Sequence, residues 1–231
     1  MSKLNSSREY LADFAQQAAK AVSPGARVLD AGAGDCPYRS YFSHTNYDTA
    51  DFCQVDKAYG RITFICNLAS IPVTSETYDL IFCSQTLEHV PDPKQVLAEL
   101  YRVLKPGGQL WLSAPLFFAE HEAPYDFYRY TRYGFAYLLV SVGFQVQSIE
   151  WLEGYFGTLA YQLRLAAKDL PVRPGDYGGR WTGVLMTGLA WPLKLLFAAL
   201  SFGFTRLDLK HKYTSGGLCK NYKIVALKRG S

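Results

Sequence analysis

The 231-residue chain has no paired-cysteine motif. Its five cysteines, Cys36, Cys53, Cys66, Cys83 and Cys219, are scattered with no C-x-x-C among them. An odd count at such spacing speaks against a disulfide framework and against a zinc site, and for a reducing compartment. No apolar core of signal-peptide type follows Met1, so a cytoplasmic location is expected. Charge of one sign is also scarce: 24 Lys and Arg against 20 Asp and Glu leave +4, unstriped, and no nucleic-acid partner is expected. There is no internal repeat, no low-complexity tract and no serine on a nucleophile elbow. Apolar residues are plentiful, with 49% hydrophobic and 15% aromatic side chains. At this length that is enough for one domain with an elaboration around a real core.

The most informative stretch is Val28-Leu29-Asp30-Ala31-Gly32-Ala33-Gly34-Asp35. An apolar strand end meets an acid, and two glycines follow at alternate positions. Glycine has no Cβ, so a tight turn here lets a ligand touch the backbone. Such a turn between a strand and a helix aims N–H groups at a bound molecule. A dinucleotide fingerprint wants a third glycine and no acid before the first. Here Cys36 stands near the third position and Asp30 before the first, which suits a ligand bearing an ammonium group instead.

Periodicity organises the rest. Residues from about Ser7 to Val22 read as an amphipathic helix ended by Ser23-Pro24-Gly25. Strands are predicted at Arg27 to Asp30, Tyr47 to Asp51, Ile62 to Cys66, Tyr78 to Ser84, Gln109 to Ser113, Phe144 to Trp151 and Tyr222 to Lys228. Asp92 and Pro93 open a helix with Val96, Leu97, Leu100, Val103 and Leu104 on one stripe, ended by Lys105-Pro106-Gly107-Gly108. Thr131 opens another, with Phe135, Leu138, Leu139 and Val142 inward. Strands alternating with helices predict an α/β fold, a doubly wound, mostly parallel seven-stranded sheet. Ligands bind such a sheet beyond the carboxyl ends of its strands, where Asp30, Asp51, Asn67 and Ser84 converge.

With Leu87-Glu88-His89-Val90-Pro91-Asp92-Pro93 and the run Leu100 to Gly108, these motifs resemble class I S-adenosylmethionine-dependent methyltransferases of the ubiquinone type. The resemblance is detailed over about Val28 to Phe144. It implies a Rossmann-like methyltransferase fold and S-adenosylmethionine as cofactor, with S-adenosylhomocysteine as product. It places Asp30, Ala31, Gly32, Gly34 and Tyr38 around the methionine end. Asp51 would accept from both ribose hydroxyls, with Phe52 beside it. Asn67 and Leu68 would contact adenine, where the family usually has Asp, and Ser84, Gln85 and Leu87 would lie under the sulfonium.

The loop from Ala114 to Thr131 is dense in His, acid, Arg and Tyr at the ligand edge, as working loops often are. Methyl transfer from a sulfonium has a good neutral leaving group, so holding acceptor and methyl in line supplies much of the rate. A hydroxyl acceptor also needs a base. His121 is the candidate, with Glu122 or Asp126 to orient it. Tyr128, Arg129, Tyr10 and Phe14 are the expected acceptor contacts; the acceptor is read as a small molecule, a glycan or a lipid-linked molecule. N-methylation of an amine and an idle cofactor-binding scaffold are the rival readings. His89 reads as a packed residue before a helix. In some quinone methyltransferases a Glu-x-x-Glu-His run binds a divalent ion; here Gln85 replaces the first Glu, and no metal site is expected.

Residues 1–231 are read as one methyltransferase domain, with an N-terminal helix within 1–24 and a helical insertion at 152–219 between the last two strands. Within it, Trp181 to Phe204 is apolar apart from Lys194, Thr and Ser. Topology excludes a single membrane span, because the strands before and after belong to one sheet. A cap over the active site, an interfacial membrane helix followed by Arg206, Lys210 and Lys212, and a homodimer interface stay open.

Overall fold

The computed structural model describes residues 5–230; the first four positions of the expected 1–24 segment and Ser231 lie outside the described residues. The chain divides into two compact units, one of Glu9–Leu152 with Asn221–Ser231, the other of Glu153–Lys220 with the N-terminal residues to Arg8.

The first unit holds a seven-stranded sheet: β1 (Arg27–Ala31), β2 (Asn46–Asp51), β3 (Phe64–Ile65), β4 (Tyr78–Ser84), β5 (Leu104–Pro115), β6 (Phe144–Trp151) and β7 (Asn221–Lys228). Their order is β3-β2-β1-β4-β5-β7-β6. All pairs are parallel except those of β7, which runs against both β5 and β6. Central strands β1 and β4 read apolar because both of their faces are covered. The carboxyl ends of β1, β2 and β4 therefore come side by side, with Asp30 paired across to Thr49 and Phe82.

Local chemistry sets the helices. In α1 (Ser6–Lys20), Leu11, Phe14, Ala15 and Ala18 pack on Val28, Leu80, Phe82 and Trp111 of the sheet. In α2 (Pro93–Val103) the Asp92 side chain caps the first turn by accepting from Gln95 N at 3.0 Å. Its stripe Val96, Leu97, Leu100 and Val103 is buried. In α3 (Arg132–Ser141) Thr131 caps Gly134 N at 3.1 Å.

Two expected boundaries shift. The expected strand Ile62 to Cys66 shrinks to Phe64–Ile65, an edge strand whose single neighbour is β2. Lys105 to Gly108, expected to stop a helix, lies within β5; Leu104 already pairs with Tyr78, and the register shifts between Tyr78 and Leu80.

Between β6 and β7 in the chain come α4 (Tyr155–Asp169) and α5 (Arg180–Lys210), with a short 3-10 turn at Pro174–Tyr177. They form an antiparallel pair: Ser201 Oγ donates to Ala160 O at 2.8 Å, and Lys194 Nζ to Leu170 O at 2.9 Å. The helix continues through Pro192.

Candidate active site

The site begins at the turn after β1. Gly32 has φ +81°, and a Cβ there would overlap the Thr86 side chain, so only glycine fits. Gly34, at φ +54°, gives its N–H to Asp51 Oδ2 at 2.9 Å, and Cys53 N donates to Asp51 Oδ1 at 3.0 Å. Two backbone donors hold this buried carboxylate at the tip of β2. Non-glycine residues with positive φ gather around the turn and cavity: Cys36 at 55°, Cys53 at 53°, Gln85 at 53° and Glu122 at 52°. Backbone held in that region is costly and is characteristic of sites where geometry matters more than relaxation.

Beyond these strand ends lies a cavity of about 400 Å³. It is large enough for a cofactor-sized ligand. Gly32, Asp51, Phe52, Asn67, Leu68, Gln85 and Glu122 of the expected residues line it. Its remaining wall includes Gln54, Lys57, Ile65, Cys66, Thr86, His89, Val90, Pro91, Tyr125 and Phe127.

The β5–α3 loop is stitched onto the loop after β2. Lys57 Nζ bonds both Glu122 carboxylate oxygens at 2.9 Å, the Tyr125 hydroxyl donates to Gln54 Oε1 at 3.3 Å, and Phe52 meets Tyr125 edge-on at 5.2 Å. From below, Phe127 N donates to Glu88 O at 2.9 Å and the Tyr130 hydroxyl to Leu87 O at 2.8 Å. These contacts bring residues 65 apart in sequence to one rim.

The imidazole on the cavity wall is His89. Its Nδ1 sits 2.6 Å from Tyr125 O, an acceptor only, so Nδ1 carries the proton and Nε2 is the basic nitrogen. Burial lowers its pKa and keeps the ring neutral. The His121 ring meets it edge-on at 4.6 Å. Asp126 lies behind His121, accepting from His121 N at 2.8 Å and placing Oδ2 3.4 Å from Nδ1. Arg129 binds Asp126 through two nitrogens at 2.7 and 2.8 Å and holds its carboxyl well below the usual carboxylate range. The fully buried Glu88 carboxyl group has no hydrogen-bond partner outside its own residue among the described residues, and burial pushes its pKa up to about 8. Ligand atoms of Glu88, His89 and His121 all lie within 4.8 Å of one another, a spacing that accommodates a cation where none was expected.

Several expected residues stand away from the cavity. Asp30 is buried behind the glycine turn, where the Tyr47 hydroxyl donates to it; burial raises its pKa to about 7. Ala31 and Leu87 are core residues, the Ser84 hydroxyl is 3.0 Å from that of Ser113, and Tyr38 stacks on Tyr41. The acceptor role expected of Phe14 does not fit its place: it is buried against Trp111 at 5.1 Å and Phe82 at 5.9 Å, because its helix face completes the core. Tyr10 packs at the margin of the same cluster. The Tyr128 hydroxyl donates to Pro91 O at 2.9 Å, and Arg129 also bonds the carbonyls of Phe118, Ala119 and Tyr128. These two side chains shape the loop. No periodic or motif signal marked Lys57 or Gln54, which reach the rim through long-range pairing with Glu122 and with Tyr125 of the polar loop.

A reversed last strand, a glycine turn against an acid-tipped β2 and a cavity over both define the class I S-adenosylmethionine-dependent methyltransferase architecture. Residues 29–112, about a third of the chain, match the family model described as "Methyltransferase domain". Ubiquinone biosynthesis O-methyltransferase of Pseudomonas entomophila (strain L48) is 42% identical over 59 residues, which are 26% of this chain and 24% of that protein. The chain thus spans about a quarter of the length of the curated relatives it matches. Among solved structures, the [4+2]-cyclase SpnF superimposes with a TM-score of 0.58 at 17% identity, over 96% of this chain and 80% of that one. The 1,6-didemethyltoxoflavin-N1-methyltransferase of Burkholderia thailandensis, solved with 1,6-didemethyltoxoflavin and S-adenosylhomocysteine, gives 0.56 at 16%, over 95% and 78%. At these identities the likeness is one of fold.

Proposed function

We propose that the protein transfers a methyl group from S-adenosylmethionine to a hydroxyl of a small-molecule, glycan or lipid-linked acceptor by in-line displacement. The observation that carries this reading is the convergence of Gly32, Asp51, Asn67, Leu68 and Gln85 on one cavity. The residues fit the cofactor: Asp51 is held by two backbone donors with lone pairs to spare for ribose hydroxyls, and Leu68, Ile65 and Phe52 offer apolar surface for adenine. Asn67 Oδ1 accepts from Ala69 N at 2.9 Å and keeps a second lone pair for the adenine amino group. Asp30, behind the turn, would act on the ammonium end through the backbone it supports.

When bound, the cofactor supplies an electrophilic methyl; the protein's task is alignment and proton removal. His89 Nε2 at the wall, with the His121 ring edge-on beside it, would take the acceptor's proton, and the nearby Glu122 and Asp126 carboxylates favour the imidazolium that forms. We take residues 152–219 as an insertion relative to the family's usual hairpin, within one methyltransferase polypeptide working in the cytoplasm. A neutral amine acceptor needs no strong base, and the likeness to an N1-methyltransferase keeps N-methylation as the alternative. The fold is also that of a [4+2]-cyclase, and an idle cofactor-binding scaffold stays as a further alternative.

The test is calorimetric binding of S-adenosylhomocysteine, followed by transfer of labelled methyl into a pool of candidate acceptors. Binding with transfer is expected. Binding with no transfer to any pool points to the idle scaffold, and absence of binding defeats the reading.

A further inference from the structure

α5 is amphipathic in the wrong sense for a helix facing water. Its buried stripe is Gly183, Ala190, Ser201, Thr205 and Asp208, small or polar residues turned toward its own unit. Its large apolar side chains point out: Trp181 is 87% exposed, Leu195 69% and Leu185 65%. A surface helix of a soluble protein shows the reverse arrangement, and contiguous exposed apolar surface of this kind marks a binding face. The helix is apolar enough to enter a membrane, and its most apolar window is only 11% buried.

We propose that this face docks in the plane of an anionic lipid surface. Charge supplies the argument for lipid. Residues 153–220 carry nine Lys and Arg against four Asp and Glu, a net +5 that exceeds the +4 of the whole chain. Exposed Arg180 stands at the start of α5, exposed Arg206 and Lys210 near its end, and the lone charge between, Lys194, turns back onto the carbonyls of Lys168 and Leu170. Trp181 and Trp191 are the amphipathic rings that settle at headgroup level. With cationic side chains at both ends, α5 pairing with α5 of a second copy, parallel or antiparallel, sets like charges together, whereas anionic headgroups neutralise them.

The connectivity makes the docking one-sided. The chain leaves the sheet at Leu152 and returns at Asn221, and Leu152 N donates to Asn221 O at 2.9 Å. A crossing by α5 therefore needs a second crossing by α4. That helix has 15 residues, including Gln162, Arg164, Lys168 and Asp169. It is about 22 Å long, short of a bilayer core of about 30 Å. α5 thus lies within one leaflet, as interfacial helices do.

The experiment is flotation of the full chain with vesicles of phosphatidylcholine alone or containing phosphatidylglycerol. The wild type is expected to float with the anionic vesicles. The variant Arg180→Gln/Arg206→Gln/Lys210→Gln should lose partitioning on the order of 100-fold, at about fivefold per cationic side chain. Leu185→Glu/Leu195→Glu should remain in solution. All five positions sampled at the helix ends and face are exposed, and unchanged S-adenosylhomocysteine affinity and melting temperature verify that the variants are folded. Three outcomes overturn the proposal: no flotation of the wild type, wild-type partitioning by the glutamine variant, or a dimer in sedimentation velocity that Leu185→Glu/Leu195→Glu dissociates while vesicles go unbound.

Discussion

Glu88→Gln tests the electrostatics beneath the cavity. Glu88 is fully buried, its carboxyl oxygens have no hydrogen-bond partner outside their own residue among the described residues, and burial moves the carboxyl from an ordinary 4.5 to about 8. In the folded protein it therefore stays protonated at neutral pH, while in the unfolded chain it ionises. A raised carboxyl binds more protons folded than unfolded, so stability is intact below about pH 4.5 and falls as pH rises toward about 8. At about 1.4 kcal/mol per pH unit, the loss reaches roughly 5 kcal/mol at full development. Glutamine has nearly the same shape and does not ionise. Glu88→Gln should match the wild type in denaturant melts near pH 4.5 and exceed it by several kcal/mol near pH 8. The difference between the two proteins removes the contribution of Asp30, also raised, to about 7. Melts are run with a chelator present, since Glu88, His89 and His121 are spaced to hold a cation that would favour the ionised carboxylate. Equal stability of the two proteins across this range would refute the argument that residue 88 is an unpaired buried acid.

Three further outcomes are expected. Asp51→Ala should weaken S-adenosylhomocysteine binding by roughly 1–3 kcal/mol in calorimetry, the cost of unpaired ribose hydroxyls; unchanged affinity removes the ribose assignment. His89→Ala and His121→Ala should each slow turnover of a hydroxyl acceptor by about 100-fold or more with cofactor affinity intact, and full activity in both leaves no role for the imidazole pair. Phe14→Ala should cost about 3–5 kcal/mol of stability in a denaturant melt without raising the KM for acceptor; a raised KM at unchanged stability would return Phe14 to the acceptor site.

Much of the sheet was legible because local signals agreed. The apolar runs of β1 and β4 mark strands covered on both faces, and Asp92-Pro93 with its five-residue stripe specified α2 to within a residue, the last of the five, Leu104, opening β5. The glycine turn and Asp51 were legible because backbone conformation demands them: Gly32 faces Thr86, and Gly34 N reaches Asp51. Phe14 was misplaced because a core aromatic and a pocket aromatic share the same helical spacing.

The amino-acid order by itself determined the alternation of strands and helices, the turn after β1 and the acid at the tip of β2, since each depends on neighbours a few residues away. Only the tertiary structure decided which imidazole lines the cavity, which side chains of the β5–α3 loop are consumed in holding it, and that α5 turns its small polar stripe inward. Those outcomes depend on pairs such as Lys57 with Glu122 and Ser201 with Ala160, whose partners are 65 and 41 residues apart. Periodicity identifies a face of a helix or a loop dense in polar groups; what that face meets is set by the folding of distant segments against it.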